Sequence, residues 1–300
     1  MSWRCRSPSL TLDLPRRSAR GAIALNILPR RSSRRPPPMA ATDSCVFCGT
    51  SPTTIEDLLP KWIRRYLGNR ATLSLLGDTG GGMTRTFKGL AYVWKAQVVC
   101  KKCNGGWMCD LERAASPILK RMFDEKLAIS FAAGPNDSRR LVAQWVIKTA
   151  LMLQYVDPDP AILLAVYHDF FATREPPAHS LIFLARHEVQ KTPSGVVSVS
   201  SELTPTDPTV HFRGDLYGVT FFVKNVVMQV VGYVGDVPAG VGIYLNFPQT
   251  FAVYVQRLWP AGTLLEWPPP QSLDDAQLAR FMGETQDIRS TWSEAPKSTP

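Results

Sequence analysis

Four of the six cysteines fall into two Cys-x-x-Cys pairs, Cys45-Val-Phe-Cys48 and Cys100-Lys-Lys-Cys103. That spacing lets two thiolates converge on one metal, and two such pairs make a closed tetrahedral site of the structural-zinc type. Gly49, directly after the first pair, suits a knuckle turn because glycine tolerates positive φ. Lys101 and Lys102 would partly offset the double negative charge of a zinc tetrathiolate. Disulfides would need an oxidising compartment, which no secretory signal supports. A redox role fits a single Cys-x-x-Cys better than two. Cys109 lies six residues past Cys103 and is expected to be a small buried residue outside the metal's reach. A simple zinc ribbon has about 15–20 residues between its pairs. Here residues 49–99 intervene, so more than a ribbon folds between the knuckles.

Acids and amides flank the cysteines. Glu56 and Asp57 precede a Leu-Pro-Lys-Trp run at 59–62, and Cys103 is followed by Asn104-Gly105-Gly106-Trp107-Met108, then Asp110 and Glu112. This order resembles the HNH endonuclease-like proteins, which have a ββα-metal core and a four-cysteine zinc staple. The resemblance is carried by Cys45, Cys48, Glu56, Pro60, Lys61, Trp62, Cys100, Cys103, Asn104, Gly106, Trp107, Asp110 and Glu112, over about residues 45–113.

The resemblance implies a chemistry. In that family an acid holds a divalent metal against the scissile phosphate, and a histidine deprotonates the attacking water. Glu56 matches the acid position, and Asp57 stands where the histidine is expected. Asn104 stands where a metal-binding histidine often follows the last cysteine. A carboxylate of ordinary pKa, about 3.9, is a weak base for water at neutral pH. No histidine precedes His168, and the amide nearest the expected middle Asn is Gln97. The implied catalytic set is therefore Glu56, Asp57 and Asn104, with Mg²⁺ or Mn²⁺ as its ion, and it lacks the general base. The alternative is a non-catalytic binding or assembly module. Asp57 can equally cap a helix N-terminus, and Asn104 can equally be a turn residue after a knuckle.

The implied partner is DNA or RNA. Lys61, Arg64, Arg65, Lys101 and Lys102 are the candidate phosphate contacts near this core, since phosphates dominate nonspecific affinity. Net charge adds little to that case. The chain carries +9 over 300 residues, but nine arginines against the single acid Asp13 put +8 of it in residues 1–38. The remainder is close to neutral, which argues against a uniformly basic nucleic-acid-coating protein. Residues 1–38 read as a basic leader without core-forming periodicity: a transit peptide, a nucleic-acid-binding arm or an extension upstream of the true start at Met39. No apolar run reaches the roughly 18 residues that span a bilayer, and a cytoplasmic, non-membrane protein is expected.

The elements that must position these groups are also readable. Pro60–Leu67 is expected to form a short helix, with a capping box from Thr53 to Glu56 before it. Leu90–Cys100 is expected to be one strand and Cys109–Phe123 a helix. Beyond them, helical spacing predicts Ser138–Val156 and Ala161–Ala172. Strand signals cover Ser180–Ala185, Gly195–Ser201, Leu216–Val223, Val226–Val234, Val241–Leu245 and Phe251–Val255. A last helix, Leu273–Met282, is expected to start at Ser272. The fold class is α+β: a zinc-stapled ββα-metal module, then a helical segment and a largely antiparallel sheet. The expected division is a disordered leader 1–38, an HNH-like module 39–125, an α+β domain 126–283 of unassigned role and a disordered tail 284–300.

Overall fold

A computed structural model describes residues 10–11, 40–67, 72–78, 84–90, 94–125, 128–131, 138–156, 162, 164–188, 194–203, 214–235, 241–245, 253–262, 264–284 and 290–294. Strands β1 (Leu10–Thr11), β2 (Ala40–Ala41) and β3 (Thr53–Asp57) precede helix α1 (Lys61–Leu67). Strands β4 (Thr72–Asp78), β5 (Thr84–Leu90) and β6 (Lys95–Cys100) follow. A short helix α2 (Lys101–Cys103) runs through a π-turn at Asn104–Met108 into α3 (Cys109–Asp124). Then come β7 (Ile129–Phe131), α4 (Ser138–Leu153) with a 3-10 turn at Gln154–Val156, and α5 (Leu164–Thr173). The remaining strands are β8 (Ser180–Arg186), β9 (Ser194–Leu203), β10 (Gly214–Val223), β11 (Val226–Gly235), β12 (Val241–Leu245), β13 (Val255–Trp259) and β14 (Leu265–Trp267). Helix α6 (Asp275–Glu284) and β15 (Ser290–Glu294) complete the described chain. Helix and sheet are mixed, as an α+β chain requires.

The main sheet has seven strands in the order β13-β8-β11-β10-β9-β4-β5. Every pairing in it is antiparallel except β4 with β9. The hairpin β4–β5, which lies between the two cysteine pairs, thus extends the sheet built by the C-terminal strands. Smaller sheets are β2-β6-β3, β14-β7 and β1-β15-β12. The last of these includes short strands from both ends that the sequence suggests are without order.

Strand β11 is buried on both faces from Val226 to Tyr233, as expected for a strand covered by helices on each side. On one face Trp145 of α4 packs against Phe221. On the other, Phe222 and Val227 pack with Leu273, Leu278 and Phe281 beside and within α6. Helix α4 is buried almost all round, as in a helix at the centre of a large core. A single apolar cluster runs from Cys45 to Trp267, so the cysteine region and the sheet share one core. Buried Arg139 opens α4 and donates to the carbonyls of Leu258 (2.8 Å) and Arg257 (2.7 Å), which pins edge strand β13.

Several local expectations change. Thr53 and Glu56 form no capping box; both lie in β3, and Thr53 instead donates to the Thr42 carbonyl at 2.8 Å. Leu90–Cys100 is not one strand, because Leu90 ends β5 and Lys95 starts β6. The strand expected at Phe251–Val255 is found at Val255–Trp259, with Val253 and Tyr254 in a turn before it. Helix α6 is capped by Asp274, not Ser272. The Gln277 N–H donates to Asp274 Oδ1 (2.7 Å) while the Asp274 N–H donates to Gln277 Oε1 (2.9 Å), a reciprocal capping box. Cys109 is exposed, not buried. Pro117 lies inside α3, where it cannot donate to the Arg113 carbonyl; the Ser116 hydroxyl does so at 3.5 Å.

Candidate metal centre

The first cysteine pair is shaped by its own backbone. The Gly49 N–H donates to the Cys45 carbonyl (2.8 Å) and the Cys45 N–H to the Thr50 carbonyl (3.0 Å). Gly49 takes φ +70°, a conformation that suits glycine and resists a Cβ. A bond from the Val46 N–H to the Val98 carbonyl (2.9 Å) ties this knuckle to β6. The second pair sits where β6 becomes helix. Cys100 is extended (φ −75°, ψ 157°), and its sulfur accepts from the Cys103 N–H at 3.5 Å.

The four sulfurs of Cys45, Cys48, Cys100 and Cys103 all lie within 4.8 Å of one another. Those of Cys48 and Cys100 are 3.6 Å apart. A zinc tetrahedron with Zn–S bonds of about 2.3 Å has edges of about 3.8 Å, whereas a disulfide needs about 2.05 Å. The set therefore fits a metal ion such as zinc. Burial raises the pKa of the Cys45 and Cys103 thiols. Burial also pushes Cys48 up, but hydrogen bonds with Thr50 and with the Cys103 and Cys100 thiols outweigh it and bring Cys48 down to about 6. Loading such a site would release protons, because only thiolates ligate.

An aromatic wall encloses the sulfurs. Trp107 packs edge-on to Phe47 (5.2 Å between centroids) and Phe170 (5.8 Å), and Phe47 meets Tyr167 at 5.5 Å. The indole N–H of Trp107 is buried without a hydrogen-bond partner, and its nearness to Cys103 opposes the upward shift that burial imposes on that thiol. The Arg174 guanidinium stacks on Trp107 (4.3 Å) and on Phe171 (4.2 Å). Lys101 and Lys102 are exposed.

The carboxylates sit on β3, which pairs antiparallel with β6: Thr53 faces Cys100, Glu56 faces Ala96 and Asp57 faces Lys95. Burial raises the Glu56 pKa, opposed by hydrogen bonds from Thr54 and Asn104 and by the nearby charge of Lys61, while Asp57 pushes it further up. The structure thus brings Glu56, Asp57, Asn104 and Lys61 together. Thr54 Oγ1 lies 3.1 Å from Glu56 Oε1 and 2.9 Å from the Val99 carbonyl, so its one proton serves two acceptors. Asp57 Oδ1 is buried without a partner.

Two of the described histidines have partners of their own. His187 is buried, with Nε2 2.9 Å from Asp275 Oδ1; His179 packs edge-on to Tyr233; His168 lies exposed on α5. His211 lies outside the described residues. Glu112 serves the core: its carboxylate accepts from Trp62 Nε1 (2.6 Å), Trp145 Nε1 (2.9 Å) and buried Lys148. Among the basic candidates, Lys61 and Arg65 are exposed on α1 and Arg64 is half-buried. Trp62 and Trp107 both pack into the core.

Sequence reasoning missed Lys148 and Arg174. Lys148 carried a signal, a lone lysine three residues from Trp145 inside an apolar run. Arg174 carried none, since Trp107, on which it stacks, is distant in sequence. No protein-family model matches the chain, and neither a curated protein nor a solved structure matches it.

Proposed function

We propose that this chain is an HNH endonuclease-like protein that holds structural zinc on Cys45, Cys48, Cys100 and Cys103 and binds DNA or RNA. One observation carries the reading: four sulfurs within 4.8 Å of one another, two from the Cys45–Cys48 turn hydrogen-bonded to β6 and two from the junction of β6 with the following helix, next to strand β3 that carries Glu56 and Asp57. Closed four-cysteine sites stabilise a fold and leave no open position for substrate. Nucleic acid would be met by the cations beside that core. Lys61, Arg65, Lys101 and Lys102 are solvent-facing and Arg64 is partly so, which suits contacts to phosphates. Reduced thiols also suit the cytoplasm, and no helix among the described residues is long and apolar enough to cross a membrane.

Hydrolysis is a second reading, favoured by the buried, unpartnered Oδ1 of Asp57 beside Glu56. These hard oxygen donors, with the Asn104 amide, suit Mg²⁺ or Mn²⁺, which would supply charge stabilisation at a phosphodiester. Glu56 would help to hold such an ion, and Asn104 orients its carboxylate. No described histidine accompanies them as base, so binding is the function we carry forward.

Gel retardation of DNA and RNA at low salt tests it, with plasmid nicking in Mg²⁺ or Mn²⁺ as the companion assay. Retardation that weakens with salt, without nicking, is expected of the wild type. Asp57→His is expected to gain nicking. Absence of retardation at low salt would contradict the binding reading.

A further inference from the structure

The four clustered sulfurs belong to residues of unequal exposure. Cys45, Cys100 and Cys103 are 1%, 4% and 2% exposed, whereas Cys48 is half-buried and is followed by exposed Gly49 and Thr50. The Cys48 sulfur lies 3.3 Å from the Thr50 hydroxyl oxygen. It also lies 3.6 Å from the sulfur of Cys100, the last residue of β6. A disulfide needs about 2.05 Å, so this pair has a gap of about 1.5 Å to close. The bond from the Val46 N–H to the Val98 carbonyl (2.9 Å) holds the Cys45–Cys48 turn beside β6 without help from a metal.

We infer that Cys48 is an oxidative modification site with Cys100 as its resolving partner, so that peroxide joins the two in a disulfide and releases the metal. The release rests on the zinc reading above; the pairing rests on the exposure of Cys48 and its distance from Cys100. As metal ligands both sulfurs are thiolates, the nucleophilic form. The Cys48 thiolate attacks one peroxide oxygen: the S–O bond forms, the O–O bond breaks and hydroxide leaves. The Cys100 thiolate then attacks the Cys48 sulfur: the S–S bond forms, the S–O bond breaks and a second hydroxide leaves. Two electrons pass from the sulfurs to the peroxide. Cys45 and Cys103 remain, and two thiolates are too few for a closed tetrahedral site. Peroxide is small, so it reaches a half-buried sulfur that a bulkier thiol reagent meets slowly. Cys109 is exposed but is not one of the four clustered sulfurs, so it lacks a resolving thiol at this range.

The test treats the full zinc-loaded chain with limiting hydrogen peroxide while a chromophoric chelator reads zinc release. Remaining thiols are then alkylated in denaturant, and disulfides are mapped by mass spectrometry of tryptic peptides. Trypsin cuts after Lys101 and Lys102, which separates Cys100 from Cys103. The expected product joins the peptide holding Cys45 and Cys48 to the one holding Cys100, through Cys48 on fragmentation, with about one zinc released per disulfide. Cys109→Ser should give the same product at the wild-type rate, and Cys48→Ser should form no link to Cys100. A map dominated by Cys45–Cys48 or by links to Cys103, or a Cys48 that stays reduced while Cys109 is oxidised, would overturn the inference and leave the zinc reading intact. Should Cys48→Ser fail to fold, the wild-type map decides alone. A wild type purified without zinc would sink the zinc reading and the release with it, while the same map still decides the pairing.

Discussion

The side-chain amide of Asn104 lies close enough to the carboxylate of Glu56 to draw its pKa down, bringing the first turn after the second cysteine pair next to strand β3. The carboxylate is half-buried, and desolvation outweighs that pull, so its pKa stands above the usual carboxylate range. Folding therefore strengthens proton binding at Glu56. Its stabilising contribution is present at low pH and is lost as pH rises through the raised folded value. Glu56→Gln should raise the melting temperature at pH 7, because the amide can donate to Thr54 and still accept from Asn104. That advantage should vanish near pH 4. Thermal melts across this range check it; a destabilised Glu56→Gln at pH 7 would contradict the burial argument.

Glu112 and Lys148 make a second, structural pair. Lys148→Met leaves a charged carboxylate facing two indoles, and a broken buried pair typically costs about 3–5 kcal/mol. Glu112→Leu should cost at least as much, since it strands Lys148 and the indole N–H groups of Trp62 and Trp145. The double variant should recover much of the loss. Urea denaturation of the four proteins measures the coupling, and additive losses would refute it.

Exposure separates Cys109 from the paired cysteines. In the zinc-loaded protein Cys109 should react quickly with a thiol reagent, while Cys45, Cys48, Cys100 and Cys103 stay protected until a chelator is added. Mass spectrometry of the labelled peptides reads this directly. Rapid labelling of the four before chelation would count against a closed site.

Legibility in the sequence followed the range of the interactions. The cysteine pairs and most helices and strands were readable because spacing and periodicity act locally. Thr53 and Glu56 misled, since a Thr-x-x-Glu pattern suits a helix cap and a strand alike; pairing with β6 decided for the strand. The attachment of β4 to β9 was not readable, because Ser74 to Gly77 pair with Gly195 to Ser198 across all the elements from β5 to β8 and parallel pairing leaves no turn signature. Arg174 was hidden for the same reason. Of the candidate site, the residue types were legible; the Glu56–Asn104 contact and the exposure of Lys101 and Lys102 needed the fold.

Phosphate contacts make binding salt-dependent in a countable way. Lys61→Ala and Arg65→Ala should each weaken binding to any sequence and flatten the log–log salt slope by about one. Titrations at several salt concentrations measure this. Unchanged slopes in both variants would move the nucleic-acid surface away from α1.

Metal content of the purified full-length chain bears most directly on the centre described here. Elemental analysis should return about one zinc per chain, as a closed tetrahedral site requires. The Cys45→Ser, Cys48→Ser, Cys100→Ser, Cys103→Ser variant should lose both the zinc and the cooperative thermal transition. A wild type without zinc, together with a quadruple variant that melts like it, would contradict the centre.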